Sequence, residues 1–335
     1  MAAQSASPRC HRSLVSSLVS LHTVVWRGRI PSSPALSPWP NGRVPMTRIV
    51  PMNDNHIEIL RDPASLQAKI AHWRSQGQRI VLVPTMGALH AGHMSLVKEA
   101  KRLGDRVLLS IFVNPTQFAP NEDYAVYPRR LEADAELSTE AGADLIFAPT
   151  PEIMYPAGFA TTISLTGPAT AGLEDKFRPT HFAGVATVVA KLLNLARADV
   201  AIFGQKDYQQ LQVIQQMVSD LAIPVEIVGA PTMREKDGLA LSSRNFYLTV
   251  AERDAAPRLY AALVQCARDI ARGETINKAL ANAMESVIAA GFVIDYIEAR
   301  HAETLALVEN SGEGPIRLLA AAKLGTTRLI DNIAV

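Results

Sequence analysis

Ile80-Val-Leu-Val-Pro-Thr-Met-Gly-Ala-Leu-His-Ala-Gly-His93 is the stretch that decides how this chain folds. It opens on four apolar residues with no polar alternation. Such a run reads as a strand buried on both faces, as in a parallel sheet. Pro84 is expected to end the strand, because proline cannot donate to a ladder. From His93 to Leu103 the apolar residues recur at helical spacing, and Gly104 stops the pattern. The stretch is therefore strand, turn and helix N-terminus.

The same alternation continues on both sides. Val107–Val113, Asp144–Phe147, Val200–Phe203 and Val225–Val228 read as further strands. Ala64–Gln76, Arg130–Ala141, Val185–Leu195 and Tyr208–Leu221 read as helices between them. Strands separated by helices predict an α/β fold with a parallel sheet. Ligands of such sheets bind beyond the carboxyl ends of the strands. Polar and Gly/Pro residues follow each strand there, as in Asn114-Pro-Thr-Gln117 and Gly204-Gln-Lys-Asp207. After Pro231 the texture changes to two helical segments, Glu252–Ala271 and Ile276–Ala290, and three β-rich pieces, Val293–Ala299, Arg317–Ala321 and Arg328–Ile333. We place a first domain at residues 56–231 and a smaller α+β domain at 232–335.

The chain has 335 residues, enough for about two domains. Its 48% hydrophobic and 19% charged residues exclude a mainly disordered chain and argue against a coiled coil. A net charge of +1 gives no basic excess, so no nucleic-acid partner is expected. No apolar run is long enough to span a membrane, so no membrane partner is expected either. Cys10 and Cys266 are too few for a disulfide framework or a cysteine zinc site and fit a reducing compartment. Residues 1–53 carry six Arg and nine Ser but no Asp or Glu. That composition resembles a transit peptide. The alternatives are an over-extended start, with initiation at Met46 or Met52, and a plain disordered tail. Residues 1–55 are therefore set apart as an extension. The location expected is cytoplasmic, or an organelle if residues 1–45 are a true transit peptide.

Four segments carry chemistry. In the first, Gly87 and Gly92 let the backbone approach a ligand, and the helix N-terminus offers free N–H groups. His90 and His93 add ring donors, a combination suited to polyphosphate. The Walker A requirement for Lys and Ser/Thr fails at His93-Met94, and no Gly-x-Gly-x-x-Gly follows a strand. In the second, Asn114 and Gln117 offer uncharged amides to hydroxyl or carboxylate groups, or merely cap a turn. In the third, Lys206 can meet phosphate as a point charge, while Asp207 is equally readable as a helix N-cap and Gln209 and Gln210 as solvated. In the fourth, Ser242, Ser243, Arg244 and Asn245 make a dense run of donors, either a clamp on a polyanion or a linker. Arg178 and His181 are a fifth, weaker element. No His/Asp/Glu cluster has ligand spacing, so no metal site is expected beyond a Mg²⁺ carried in by a nucleotide.

In combination these segments resemble the pantoate–β-alanine ligase (pantothenate synthetase) family, over residues 57–335. Val83–His93 matches that family's His-x-Gly-His signature, and Ser110–Phe118 its pantoate segment. Gly204–Gln210 and Asp237–Asn245 are similar to its nucleotide-contacting segments, the latter the counterpart of a Lys-Met-Ser-Lys-Ser loop. The resemblance implies a Rossmann-like nucleotidyltransferase domain with a C-terminal lid. It implies a homodimer and MgATP-dependent joining of pantoate to β-alanine through a pantoyl adenylate. It places Met86, Gly87, Ala88, Leu89, His90, Ala91, Gly92 and His93 at ATP, with His93 as proton donor. Gly204, Gln205, Lys206, Asp207, Met233, Leu241, Ser242, Ser243 and Arg244 join them. Gln117, Gln210 and Asn114 fall at the pantoate and β-alanine positions. His90, His93, Lys206 and Arg244 are the expected catalytic set. The chain departs from the family pattern in Gln205 for Glu, Thr116 for Met, Leu241 for Met and Thr180 for Gly. Competing readings are a related nucleotidyltransferase with a phosphorylated acceptor, an aminoacyl-tRNA synthetase fragment, and an inactive binding protein.

Overall fold

The computed structural model describes residues 57–120 and 122–335. The extension expected over residues 1–55 lies outside the described residues. Six parallel strands form the first sheet: β1 (Glu58–Leu60), β2 (Ile80–Thr85), β3 (Arg106–Ile111), β4 (Leu145–Phe147), β5 (Val200–Gly204) and β6 (Glu226–Ala230). Their spatial order is β1-β4-β3-β2-β5-β6. The helices are α1 (Pro63–Ser75), α2 (Ala91–Leu103), α3 (Leu131–Ala141), the short α4 (Pro151–Met154) and α5 (Glu174–Phe177), α6 (His181–Ala196) and α7 (Tyr208–Asp220). β1 was not foreseen, because three residues are too short to show a period.

The strand residues Ile80–Val83, Val107–Leu109, Leu145–Phe147 and Val200–Ile202 are at most 1% exposed. Alternate side chains leave the sheet on opposite faces. Ile80, Leu82 and Leu108 join a core with Leu66, Ile70 and Trp73 of α1 and with α6 and α7. Val81, Val83, Val107 and Leu109 join another with Met94, Leu96, Val97 and Ala100 of α2. Both faces are covered, which is why the strands read as unbroken apolar runs.

Strand β2 runs through Pro84 rather than ending before it. Phe112 N donates to Thr85 O and Asp199 N to Ile80 O, so even-numbered residues of β2 face β5. Pairing with β5 covers only Val81 and Leu82. The donor that Pro84 lacks would thus point where the ladder has already parted. Strands β2 and β5 are also where the strand order reverses, and a crevice opens beyond their carboxyl ends.

The later part of the chain builds a smaller antiparallel sheet, ordered β7 (Val293–His301), β8 (Ile316–Leu324) and β9 (Thr327–Ala334). Helices α8 (Val250–Ala255), α9 (Arg258–Ala271) and α10 (Ile276–Ala289) precede it. Leu259, Leu263, Cys266, Ile270, Ala279 and Val287 pack on Leu318, Ala320 and Leu324 in a separate core. The single helix expected over Glu252–Ala271 is two. A capping box between Thr249 and Glu252 starts α8, and Pro257, without an N–H, interrupts the pattern before α9.

An ion pair joins α5 to the small sheet. Arg328 of β9 meets the Glu174 carboxylate through two nitrogens at 2.7 and 2.8 Å, and the Tyr296 hydroxyl donates to the same group at 2.8 Å. Burial opposes the charge on Glu174, yet Arg328 and Tyr296 hold its carboxyl below the ordinary value. Among the described residues no helix is long and apolar enough to cross a membrane.

Candidate active site

A cavity of about 250 Å³ lies beyond the carboxyl ends of β2 and β5. The loop after β2 lends it Met86, His90, Gly92 and His93; the turn after β3 lends Asn114 and Gln117. The turn after β5 lends Gly204, Lys206, Asp207 and Gln210, and the chain beyond β6 lends Met233, Leu241, Ser242, Ser243 and Arg244. Val185, Val188, Val189 and Leu192 of α6 form an apolar wall. Arg178 and His181, the weakest element in the sequence, line it too.

The two histidines build the start of α2 themselves. His90 is the N-cap, and its Nδ1 accepts the Gly92 N–H at 3.1 Å. His93 Nδ1 accepts the His90 N–H at 3.3 Å. The rings take the places that Ser and Glu hold in an ordinary capping box. Each Nδ1 faces a backbone donor, so each neutral ring carries its hydrogen on Nε2. Burial, then Lys206, pushes His90 down to about 4. Burial, then His90 and Lys206, pushes His93 down to about 3. At neutral pH the site therefore holds two uncharged Nε2–H donors beside a helix N-terminus.

The glycines of this loop serve its own side chains. A Cβ on Gly92 would sit 2.9 Å from the His90 ring, so Gly92 leaves room for the ring to fold back. Gly87 and Ala88 lie in the left-handed region at φ 82° and 51°. The Asp134 carboxylate of α3 accepts the Ala88 and Leu89 N–H groups at 2.9 and 2.8 Å and is 2% exposed. Gly87, Ala88 and Leu89 are buried beneath the cavity and Ala91 is exposed beside it, and none of the four lines it. Asp134 was missed in the sequence, where Leu-Glu-Ala-Asp-Ala-Glu reads as the solvated face of a helix.

In the turn after β3, Asn114 is 1% and Gln117 9% exposed. Asn114 Nδ2 donates to Gly184 O at 3.2 Å and to Gln117 Oε1 at 3.1 Å. His181 Nδ1 must donate to Gln117 O, 2.9 Å away, because a carbonyl only accepts. Its Nε2 then accepts from Arg178 at 3.3 Å. Burial, then Arg178, lowers His181 to about 4 and keeps it neutral.

The third and fourth segments meet across the crevice. Asp207 makes no capping bond to α7 and instead faces the cavity. Asn332 of β9 donates to Gln205 O and Lys206 O at 2.9 and 2.8 Å, so the small sheet fixes the backbone that carries Lys206. Gln205 turns away, donating to Gly229 O at 3.1 Å, and does not line the cavity. Gln209, read as solvated, is 3% exposed and bonded to Glu174 N, Pro168 O and Asp175. Arg244 reaches Asp123 at 3.0 Å, and Asn245 is spent on Ala240 O. Ser242 caps the Arg244 N–H at 3.2 Å.

Residues 58–334 match the family model described as pantoate-β-alanine ligase. The chain belongs to that family. It is 56% identical to the pantothenate synthetase of Rhodopseudomonas palustris and 55% identical to pantothenate synthetase 2 of Bradyrhizobium diazoefficiens, in each case over 83% of this chain and 98% of the relative. The solved pantothenate synthetase of Thermus thermophilus superposes with a TM-score of 0.79 at 46% identity, over 83% of this chain and 99% of that one. A pantoate-β-alanine ligase of Francisella tularensis, solved with β,γ ATP and β-alanine, gives 0.69 at 36% identity, over 83% of this chain and 97% of that one. Of the departures from the family pattern, Gln205 and Thr180 do not line the cavity and Leu241 does. Thr116 lies behind Asn114, where its hydroxyl is bonded.

Proposed function

We propose that this chain joins pantoate to β-alanine with cleavage of MgATP, through a pantoyl adenylate, in the cavity beyond β2 and β5. One observation carries the reading. The lining of a single cavity brings neutral amides together with Lys206, Arg244 and two uncharged imidazole donors. In the first step a pantoate carboxylate oxygen forms a bond to the α-phosphorus, and the bond to the leaving pyrophosphate breaks. That nucleophile is already an anion, so the step requires no general base. The protein's task is to hold the reactants in line and to offset developing charge. Lys206, Ser242, Ser243 and Arg244 stabilise the departing pyrophosphate, with Arg244 exchanging Asp123 for phosphate oxygens. His90 and His93 donate to the phosphates through Nε2–H. Met86, Gly92, Gly204, Asp207, Met233 and Leu241 surround the nucleotide. Gln117 and Gln210 hold the acid, and Asn114, expected beside them, is spent on Gly184 O and Gln117 and supports the latter from behind. In the second step the β-alanine amine attacks the acyl carbon, and AMP leaves. The Mg²⁺ arrives with the phosphates of its nucleotide.

Residues 56–231 act as the binding domain and 232–335 as a lid, an assignment supported by their separate cores. The family resemblance supports a cytoplasmic homodimer, which cell fractionation and sedimentation would check. The test of the reaction is release of AMP and pyrophosphate by purified protein with MgATP, omitting each acid in turn. AMP that requires both acids, with pantothenate as product, is the expected result. ATP binding without AMP under any combination would overturn the reading.

A further inference from the structure

Tyr155 does not line the cavity, yet its hydroxyl is bonded to a residue that does. It donates to Asn114 Oδ1 at 2.7 Å. The Thr116 hydroxyl donates to the same oxygen at 2.9 Å and lies 3.3 Å from the Tyr155 hydroxyl. The backbone settles which way the Asn114 amide faces: its oxygen meets the Thr116 N–H at 3.3 Å, and its nitrogen meets the Gly184 carbonyl at 3.2 Å. A flip would set oxygen against oxygen and N–H against N–H. Asn114 Nδ2 also donates to Gln117 Oε1, so the polarity passes to the next amide. Gln117 is left with its Nε2 donors turned to Met86 Sδ, a weak acceptor at 3.2 Å. A buried donor with only sulfur to meet is poised for an oxygen of a ligand.

We propose that Tyr155 and Thr116 are positioning residues for selection of the acid: they anchor Asn114, which turns Gln117 so that it offers N–H groups to a carboxylate or hydroxyl oxygen. This inference rests on the assignment of Gln117 to pantoate above. The phenol is fixed by Phe112 and Phe159, with ring centroids at 6.2 and 5.2 Å, and by Lys191, whose Nζ lies 5.3 Å from the ring centre. Burial raises the phenol above its ordinary range, although the Thr116 bond works the other way, so it remains a donor at neutral pH.

Steady-state KM values for pantoate and for ATP, with kcat, test the assignment in Tyr155→Phe, Thr116→Val, Thr116→Ser and the Tyr155→Phe/Thr116→Val double variant. Melting curves check that each variant folds. Loss of one net hydrogen bond should raise the pantoate KM about fivefold in Tyr155→Phe, and the double variant about tenfold or more. The KM for ATP should stay within about twofold, and Thr116→Ser, which keeps the hydroxyl, should match the parent. In a Gln117→Ala background, Tyr155→Phe should add almost nothing, because its effect passes through the missing amide. An unchanged pantoate KM in both Tyr155→Phe and the double variant would sink the inference, as would a parallel rise for ATP. If Gln117→Ala itself leaves the pantoate KM unchanged, the assignment of Gln117 fails and takes this inference with it. If Gln117→Ala raises that KM but Tyr155→Phe does not, only the role of Tyr155 is lost.

Discussion

His93 shows how one side chain takes two tasks. Its Nδ1 closes the first turn of α2, and the same bond fixes the hydrogen on Nε2. Replacing it by Ala should lower single-turnover AMP formation by about 10²-fold or more, the usual scale for losing a positioned donor. Near-parental turnover would remove His93 from the mechanism. His90, His93 and Lys206 were legible in the sequence because each follows a strand end in a glycine-bearing turn, and Arg244 because it stands in a dense run of donors between the domains. Asp134, Tyr155 and Asn332 were not. Asp134 lies on an ordinary-looking helix, Asn332 on a strand and Tyr155 just past α4, and each matters only for what it touches from far along the chain. Gly87 and Gly92 also leave room within the loop itself, for the Asp134 carboxylate and for the His90 ring.

Among the elements, α6 decides how the acid end is held. Gly184 lies against the short turn Pro115–Gln117, where a Cβ would collide with the Thr116 carbonyl group and stand 2.8 Å from Gln117 N. The contact lets Asn114 reach Gly184 O. Gly184→Ala should therefore cost about 1–3 kcal/mol of stability, the usual penalty for overpacking. It should also raise the pantoate KM more than the ATP KM. Thermal melting and steady-state kinetics would check both, and an unchanged ratio of the two KM values would uncouple α6 from the acid. The helix was readable from its apolar run. Its start at His181, four residues earlier than expected, was not, because Arg178-Pro-Thr-His181 has the composition of a loop.

For the whole molecule, three histidines that their surroundings keep neutral make stability depend on pH. His90, His93 and His181 take up protons in the folded state only near 4, 3 and 4, against 6.5 for an unperturbed ring. The unfolded chain binds those protons first as pH falls below 6.5, so protonation favours unfolding. The melting temperature should be insensitive to these rings above about pH 7.5 and should fall from pH 7 to pH 5, which is still above the ordinary carboxylate range. His181→Gln should flatten that slope, and an equal slope in the variant would show that the ring is not held neutral. The family match begins at residue 58. Removing residues 1–45 should therefore leave the rate of AMP formation within about twofold, a change too small to mark a lost catalytic contact. An inactive or insoluble product would show that the extension belongs to the fold.

Local chemistry in the sequence determined the strands and helices of the parallel sheet, since a strand buried on both faces must be apolar at every position. It also determined the loops whose polar groups line the cavity, because glycine, histidine and lysine gather just beyond the strand ends. Only the tertiary structure decided the polarity and orientation of those groups. Which nitrogen of His93 holds hydrogen, which way Gln117 faces and what fixes Lys206 depend on atoms brought in from other segments. Hydrogen bonds of that kind are set by distance in space, and sequence spacing carries no record of them.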